Sequence, residues 1–150
     1  MVLAQLIHLR IFRVCLQMHK LELDNVNHLL GKPWVRGASG PECFDCWGLV
    51  KWCLNELSIP ILFDVDYEFP YGIENEFKNS LGYWNEIDYP ENNCLIYGYV
   101  GDTPCHIGIV IDEYVFHSIG DETDGGSVVL TKLKNFKKMY SKIGFYKWLN

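Results

Sequence analysis

The sequence predicts an α+β domain with helices first and an antiparallel sheet after them. Apolar residues recur at helical spacing from Cys46 to Leu57. From residue 93 onward, short β-branched and aromatic runs alternate with turn residues. The helical part precedes the strand part instead of alternating with it, which separates α+β from α/β chains. With 150 residues, 49% hydrophobic and 21% charged, the chain has the size of one domain and enough apolar surface for a core. Nine Tyr, eight Phe and five Trp add bulk to that core and can line a cleft.

Residues 1–25 are read as an N-terminal extension and residues 26–150 as the domain. Ile7-His8-Leu9-Arg10-Ile11 alternates like a strand, while Leu3, Leu6 and Ile7 fit a helix, and both readings stand. His8, Arg10, Arg13, His19 and Lys20 interrupt any apolar run long enough to span a membrane. No clean apolar stretch is followed by a small-residue cleavage site, so no secretory signal is expected. Val26, Leu29 and Leu30 suit a short helix that stops at Gly31, with Pro33 preventing its return. Gly37-Ala38-Ser39-Gly40-Pro41 is a loop by composition.

Cys46, Leu49, Val50, Cys53, Leu54 and Leu57 fall at i, i+3, i+4, i+7, i+8 and i+11, an amphipathic helix ending before Pro60. Residues 64–90 are turn-rich and aromatic, without a strong period. Strands are then expected at Leu95–Val100, His106–Ile111, Tyr114–Ser118, Ser127–Leu130 and Ile143–Trp148.

Cys46 has two readings. It lies on the apolar stripe of its helix, and free cysteine is among the most buried residue types. However, Asp45 has the chemistry of an N-cap, so Cys46 sits in the first turn, where the helix dipole favours thiolate, the nucleophilic form. Cys53, two turns further along the same stripe, is a core residue.

His106 and His117 can be tested against strand geometry. If Asp112-Glu113 is a two-residue hairpin turn, Ile111 faces Tyr114, Gly108 faces His117 and His106 faces Ile119. The histidines then project from one side as diagonal neighbours. A loop one residue longer or shorter would put them on opposite faces. Gly108 leaves space beside His106, which makes His106 the base and His117 the group that orients it. Backbone N–H groups at the start of the Cys46 helix could hold an oxyanion.

Other classes of function fit less well. A net charge of -6 argues against non-specific nucleic-acid binding, which needs a basic face. The six cysteines (Cys15, Cys43, Cys46, Cys53, Cys94 and Cys105) are taken as reduced thiols, since the chain exceeds disulfide-scaffold size. Cys43-Phe44-Asp45-Cys46 could be half a zinc site or a redox pair. Zinc wants a second close ligand pair, for which Cys105 and His106 are only adjacent, and redox wants a βαβ setting that is absent.

Leu30-Gly31-Lys32-Pro33-Trp34-Val35-Arg36-Gly37, Pro41 and Phe44-Asp45-Cys46-Trp47-Gly48-Leu49-Val50 resemble, without a gap, the L-G-x-P-Y-x-x-G-G-x-x-P-x-x-F-D-C-S-G-L-V form of the NlpC/P60 cysteine peptidases. His106-Ile107-Gly108-Ile109-Val110 looks like the H-V-G-I-Y strand of that family, and Val115-Phe116-His117-Ser118 like its F-I-H-A strand. The resemblance spans most of residues 26–148. It implies a papain-like fold and a Cys46-His106-His117 triad that needs no metal or cofactor. The implied substrate is a peptidoglycan stem peptide, often cut between D-glutamate and a diamino acid.

The form D-C-bulky-G-L-V, the late Gly144-Phe145-Tyr146-Lys147-Trp148 and the missing signal are most like the phage tail-assembly branch. That implies a protein made in the cytoplasm and carried to the wall by a phage particle or secretion machinery. Trp34 stands for the tyrosine of the family, Trp47 for its serine, and Ala38 for a second glycine. Asn92-Asn93 replace a common Gly-Asp. With Asp45, Trp34 and Trp47 are the residues this places against the substrate.

Two other functions remain open at this point. One is an amidase or acyltransferase working through a thioester, although permuted papain-like acyltransferases place histidine before cysteine and here Cys46 comes first. The other is a non-catalytic tail or wall-binding module, suggested by Trp34 and Trp47 narrowing the site.

Overall fold

The computed structural model describes residues 20–61 and 83–149. The reading of residues 1–19, with Cys15, and most of the 64–90 stretch therefore lie outside the described residues. A short helix α1 (Leu23–Val26) runs into a 3-10 turn (Asn27–Leu29). Helix α2 spans Cys46–Glu56, followed by strands β1 (Trp84–Ile87), β2 (Leu95–Val100), β3 (Thr103–Ile111), β4 (Tyr114–Asp121) and β5 (Gly125–Lys132). A one-turn helix α3 (Leu133–Phe136) and strand β6 (Lys142–Trp148) complete the chain. No helix among the described residues is long and apolar enough to cross a membrane.

The six strands form one antiparallel sheet in the order β1-β6-β2-β3-β4-β5. The α+β class is therefore as the sequence predicts, and β2 has the expected bounds. The other expected strands are longer than their apolar runs, because pairing with a neighbour extends a strand into residues that carry no β signal.

Two elements correct the sequence reading. Residues 84–87, taken as part of a stretch without a period, form β1, which pairs with β6 and is an edge strand among the described residues. Its register sets Trp84 opposite Trp148, ring centroids 5.2 Å apart, a contact no local pattern announces. Helix α3 is one turn long, too short to show a helical period. The described packing also begins before residue 26. Leu21 is in the core, and its backbone N–H and C=O both bond the Asn93 side chain.

Alternation along the strands makes two apolar faces. Leu95, Tyr97, Ile107, Ile109, Ile111, Phe116 and Val128 meet Trp47, Leu49, Val50, Cys53 and Leu54 of α2 in the main core. Cys94, Ile96, Val110, Val115 and Phe145 face the other way, covered by Leu133, Phe136 and Tyr140. Each Leu or Val buried this way stabilises by roughly 1.5–3 kcal/mol. Helix α2 ends as expected: Leu57 and Ser58 bond back to it, Ser58 turns to φ 56°, and Pro60 follows.

Candidate active site

The chain reaches Cys46 along a path of backbone hydrogen bonds. Gly31 N–H donates to Val128, Val128 N–H to Lys32 and Trp34 N–H to Gly126, so residues 31–34 cover the free edge of β5. Phe44 N–H then bonds Pro33, and Val35 N–H bonds Phe44. The Ser118 hydroxyl on β4, fully buried, donates to the Phe44 carbonyl at 2.8 Å. The upstream Leu-Gly-Lys-Pro-Trp block thus ties the sheet edge to the strand leading into α2.

Asp45 caps the helix, as its position predicts. One carboxylate oxygen accepts Gly48 N–H and the other Gly37 N–H, both at 2.7 Å. The loop presses close, and a Cβ at Gly48 would lie 1.8 Å from the Ala38 carbonyl oxygen. Only glycine fits there. Cys46 becomes the first residue of α2, half-buried, its thiol acted on by the backbone N–H groups of Trp47, Ile107 and Cys46 itself. Ile107 follows His106, so the thiol lies against the strand that carries that histidine.

The hairpin has the register expected for a two-residue Asp112-Glu113 turn, with Ile111 opposite Tyr114 and Ile109 opposite Phe116. His106 and His117 consequently share the face opposite α2. His106 Nε2 and His117 Nδ1 are 2.8 Å apart. Gly108 permits this, since a Cβ there would lie 3.0 Å from His117 Cβ. On the other side, His117 Nε2 is 2.8 Å from the Thr131 hydroxyl. Just before His106, Cys105 is an extra residue on β3: Gly98 pairs with His106 and Tyr99 with Pro104. Such a bulge re-aims the side chain beside it.

Two proton arrangements fit this chain of contacts. If Nε2–H of His106 donates to His117 Nδ1, then Nε2–H of His117 donates to the Thr131 oxygen, and His106 Nδ1 keeps a free lone pair. The reverse pattern would put a proton on His106 Nδ1 and leave it no basic site. Among the described residues no buried side-chain polar atom lacks a partner.

Burial governs the acidities. The Cys46 thiol is pushed up to about 12, first by burial and then by the Asp45 carboxylate, against the pull of the three amides. That corrects the thiolate expected from the helix terminus alone. His106 is held down to about 3 by burial and by His117, and His117 to about 4 by burial. At neutral pH the thiol and both rings are uncharged.

The residues placed against substrate by resemblance fare differently. Trp34 is half-buried, its ring over Gly120. Asp45 is 2% exposed and commits both oxygens to backbone amides. Trp47 is 2% exposed and fills the main core, so it narrows no cleft. It is the second residue of α2, and successive helical positions point about 100° apart, which turns it into the core while Cys46 stays partly buried at the core's margin. Ser118 and Thr131 escape sequence reasoning, since one hydroxyl in a strand carries no distinguishing signal. The thiols of Cys43, Cys46, Cys53, Cys94 and Cys105 are free.

No protein-family model matches this chain, and no curated protein matches it in sequence. Among solved structures it is similar to the NlpC/p60 domain of the peptidoglycan hydrolase SagA. The TM-score is 0.53 at 15% identity, over 82% of this chain and 93% of that one. At that identity the likeness is one of fold, and the fold is the α+β, papain-like NlpC/P60 arrangement.

Proposed function

We propose that this chain is a cysteine peptidase of the NlpC/P60 type that cleaves peptidoglycan stem peptides, at the bond between D-glutamate and a diamino acid. Cys46 is the nucleophile, His106 the base and His117 its orienting partner. One observation carries this reading: the Thr131–His117–His106 chain of contacts ends at His106, on the strand whose Ile107 backbone also meets the Cys46 thiol. The likeness of fold to a peptidoglycan hydrolase domain supports it, as do the motifs around Cys46, His106 and His117.

In the proposed reaction His106 Nδ1 takes the Sγ proton as sulfur attacks the peptide carbonyl. Passing that proton makes both charges together, and their attraction offsets part of what burial costs each alone. The tetrahedral oxyanion is held by N–H groups at the start of α2. Its collapse breaks the C–N bond, and the leaving amine takes the proton from His106. Water then hydrolyses the thioester with His106 again as base. Trp34, the residue of the implied substrate set that keeps exposed surface, lies alongside the peptide. Carriage to the wall by a phage tail or secretion machinery belongs to the same proposal and rests on the motifs alone.

Digestion of purified muropeptides followed by mass spectrometry tests this. The wild type should release a new free amine at the diamino acid. Cys46→Ala should lower the rate at least ~10²–10⁴-fold. Equal release by both proteins would sink the proposal, and so would none from the wild type.

A further inference from the structure

Tyr140 belongs to none of the motifs around the site, yet it touches the proposed base. It lies between α3 and β6 on the face opposite α2. Its ring is 5.8 Å from that of His106, the planes only 10° from parallel. The stack has a floor, since a Cβ at Gly98 would lie 2.6 Å from Tyr140 Cγ. Gly98 is the residue that pairs with His106 across β2 and β3, so a bare backbone seats the tyrosine beside the histidine. Phe136 closes the flank, 5.0 Å from Tyr140 and edge-on to His117 at 5.2 Å. Burial pushes the Tyr140 hydroxyl up, and the Cys105 and Cys46 thiols add to it.

A hydrogen bond through Nε2 fixes one atom of the His106 ring and leaves its plane free to swing. A parallel aromatic neighbour fixes the plane. We propose that Tyr140 is the positioning residue of the base, its ring holding the His106 imidazole so that Nε2 stays on His117 and Nδ1 is left for the thiol. This rests on the reading of His106 as base.

Nitrogen-15 NMR of the imidazoles in the full chain tests the geometry without any substrate. The wild type should show His106 as one tautomer, protonated at Nε2. Tyr140→Leu, still apolar but without a flat ring, should give mixed tautomers. Its muropeptide kcat should fall about 10²-fold at unchanged KM, the scale of a misplaced catalytic group. Tyr140→Phe should restore the single tautomer. Gly98→Ala should displace the tyrosine and behave like Tyr140→Leu, and it decides the matter should the leucine variant not fold. Unaltered His106 signals in Tyr140→Leu or Gly98→Ala would overturn the proposal. A loss in Tyr140→Phe equal to that in Tyr140→Leu would overturn it too, by assigning the effect to the hydroxyl. A wild type with a fixed tautomer and no hydrolysis would instead remove the peptidase reading and leave the positioning intact.

Discussion

At Cys46 two effects of opposite sign compete, and their sizes decide the outcome. A helix N-terminus stabilises a charge by about 0.3–1 kcal/mol, less than tenfold in acidity. Burial can shift acidity by up to ~10³–10⁵-fold. Desolvation wins, and the thiol stays protonated until a base takes its proton. The histidines follow the same rule in the other direction, at about 3 and 4 against an ordinary 6.5. Between those values and 6.5 the unfolded chain binds more protons than the folded one, so stability rises with pH across that window. It is fully present above 6.5 and lost as pH falls toward 3–4. Thermal melts from pH 7.5 to 4 should therefore show Tm falling on acidification. The fall should be shallower in the double variant His106→Gln, His117→Gln, and parallel slopes would refute this assignment. The three proposed triad residues are legible in sequence because their motifs are local. Thr131 is not, since its place beside His117 arises from pairing in which Val115 opposes Thr131 and His117 opposes Val129.

At the scale of elements, α2 is the best specified, with stripe, cap and stop all local. Its cap does more than end a helix, because the second Asp45 oxygen also holds Gly37 and so the loop against the first turn. Asp45→Ala should lose the cap, ~0.5–2 kcal/mol, and strand a second amide, for about 2–3 kcal/mol together. Urea unfolding measures this, and a loss no larger than a simple cap would show that the Gly37 bond adds nothing. Strand β1 and helix α3 were not legible. Four residues hold two strand periods and barely one helical turn, too little to show a pattern, so their partners, β6 for β1 and the outer face of the sheet for α3, give them structure.

Across the whole molecule, the two cores share β2, β3, β4 and β6, whose alternate residues serve opposite faces. On β4 this is tightest: Ser118 holds the approach to Cys46 on one face while its neighbour His117 joins the proposed base on the other. The faces should therefore unfold together. Phe136→Ala, on the outer face and fully buried, should cost about 3–5 kcal/mol. Near- and far-ultraviolet circular dichroism should still report one transition. Separate transitions would show that the outer face melts by itself.

By itself the sequence determined the fold class, the capped helix that presents Cys46, and the pairing of two histidines on one face. Each rests on a period or a turn read within a few residues. Tertiary structure decided the rest: that the thiol is neutral, that Trp47 is core, that Thr131 extends the histidine pair and that Tyr140 covers it. Those properties depend on which distant segments exclude water from a group or come within bonding distance of it. Solvation and contact are set by the packed whole, and no local pattern encodes them.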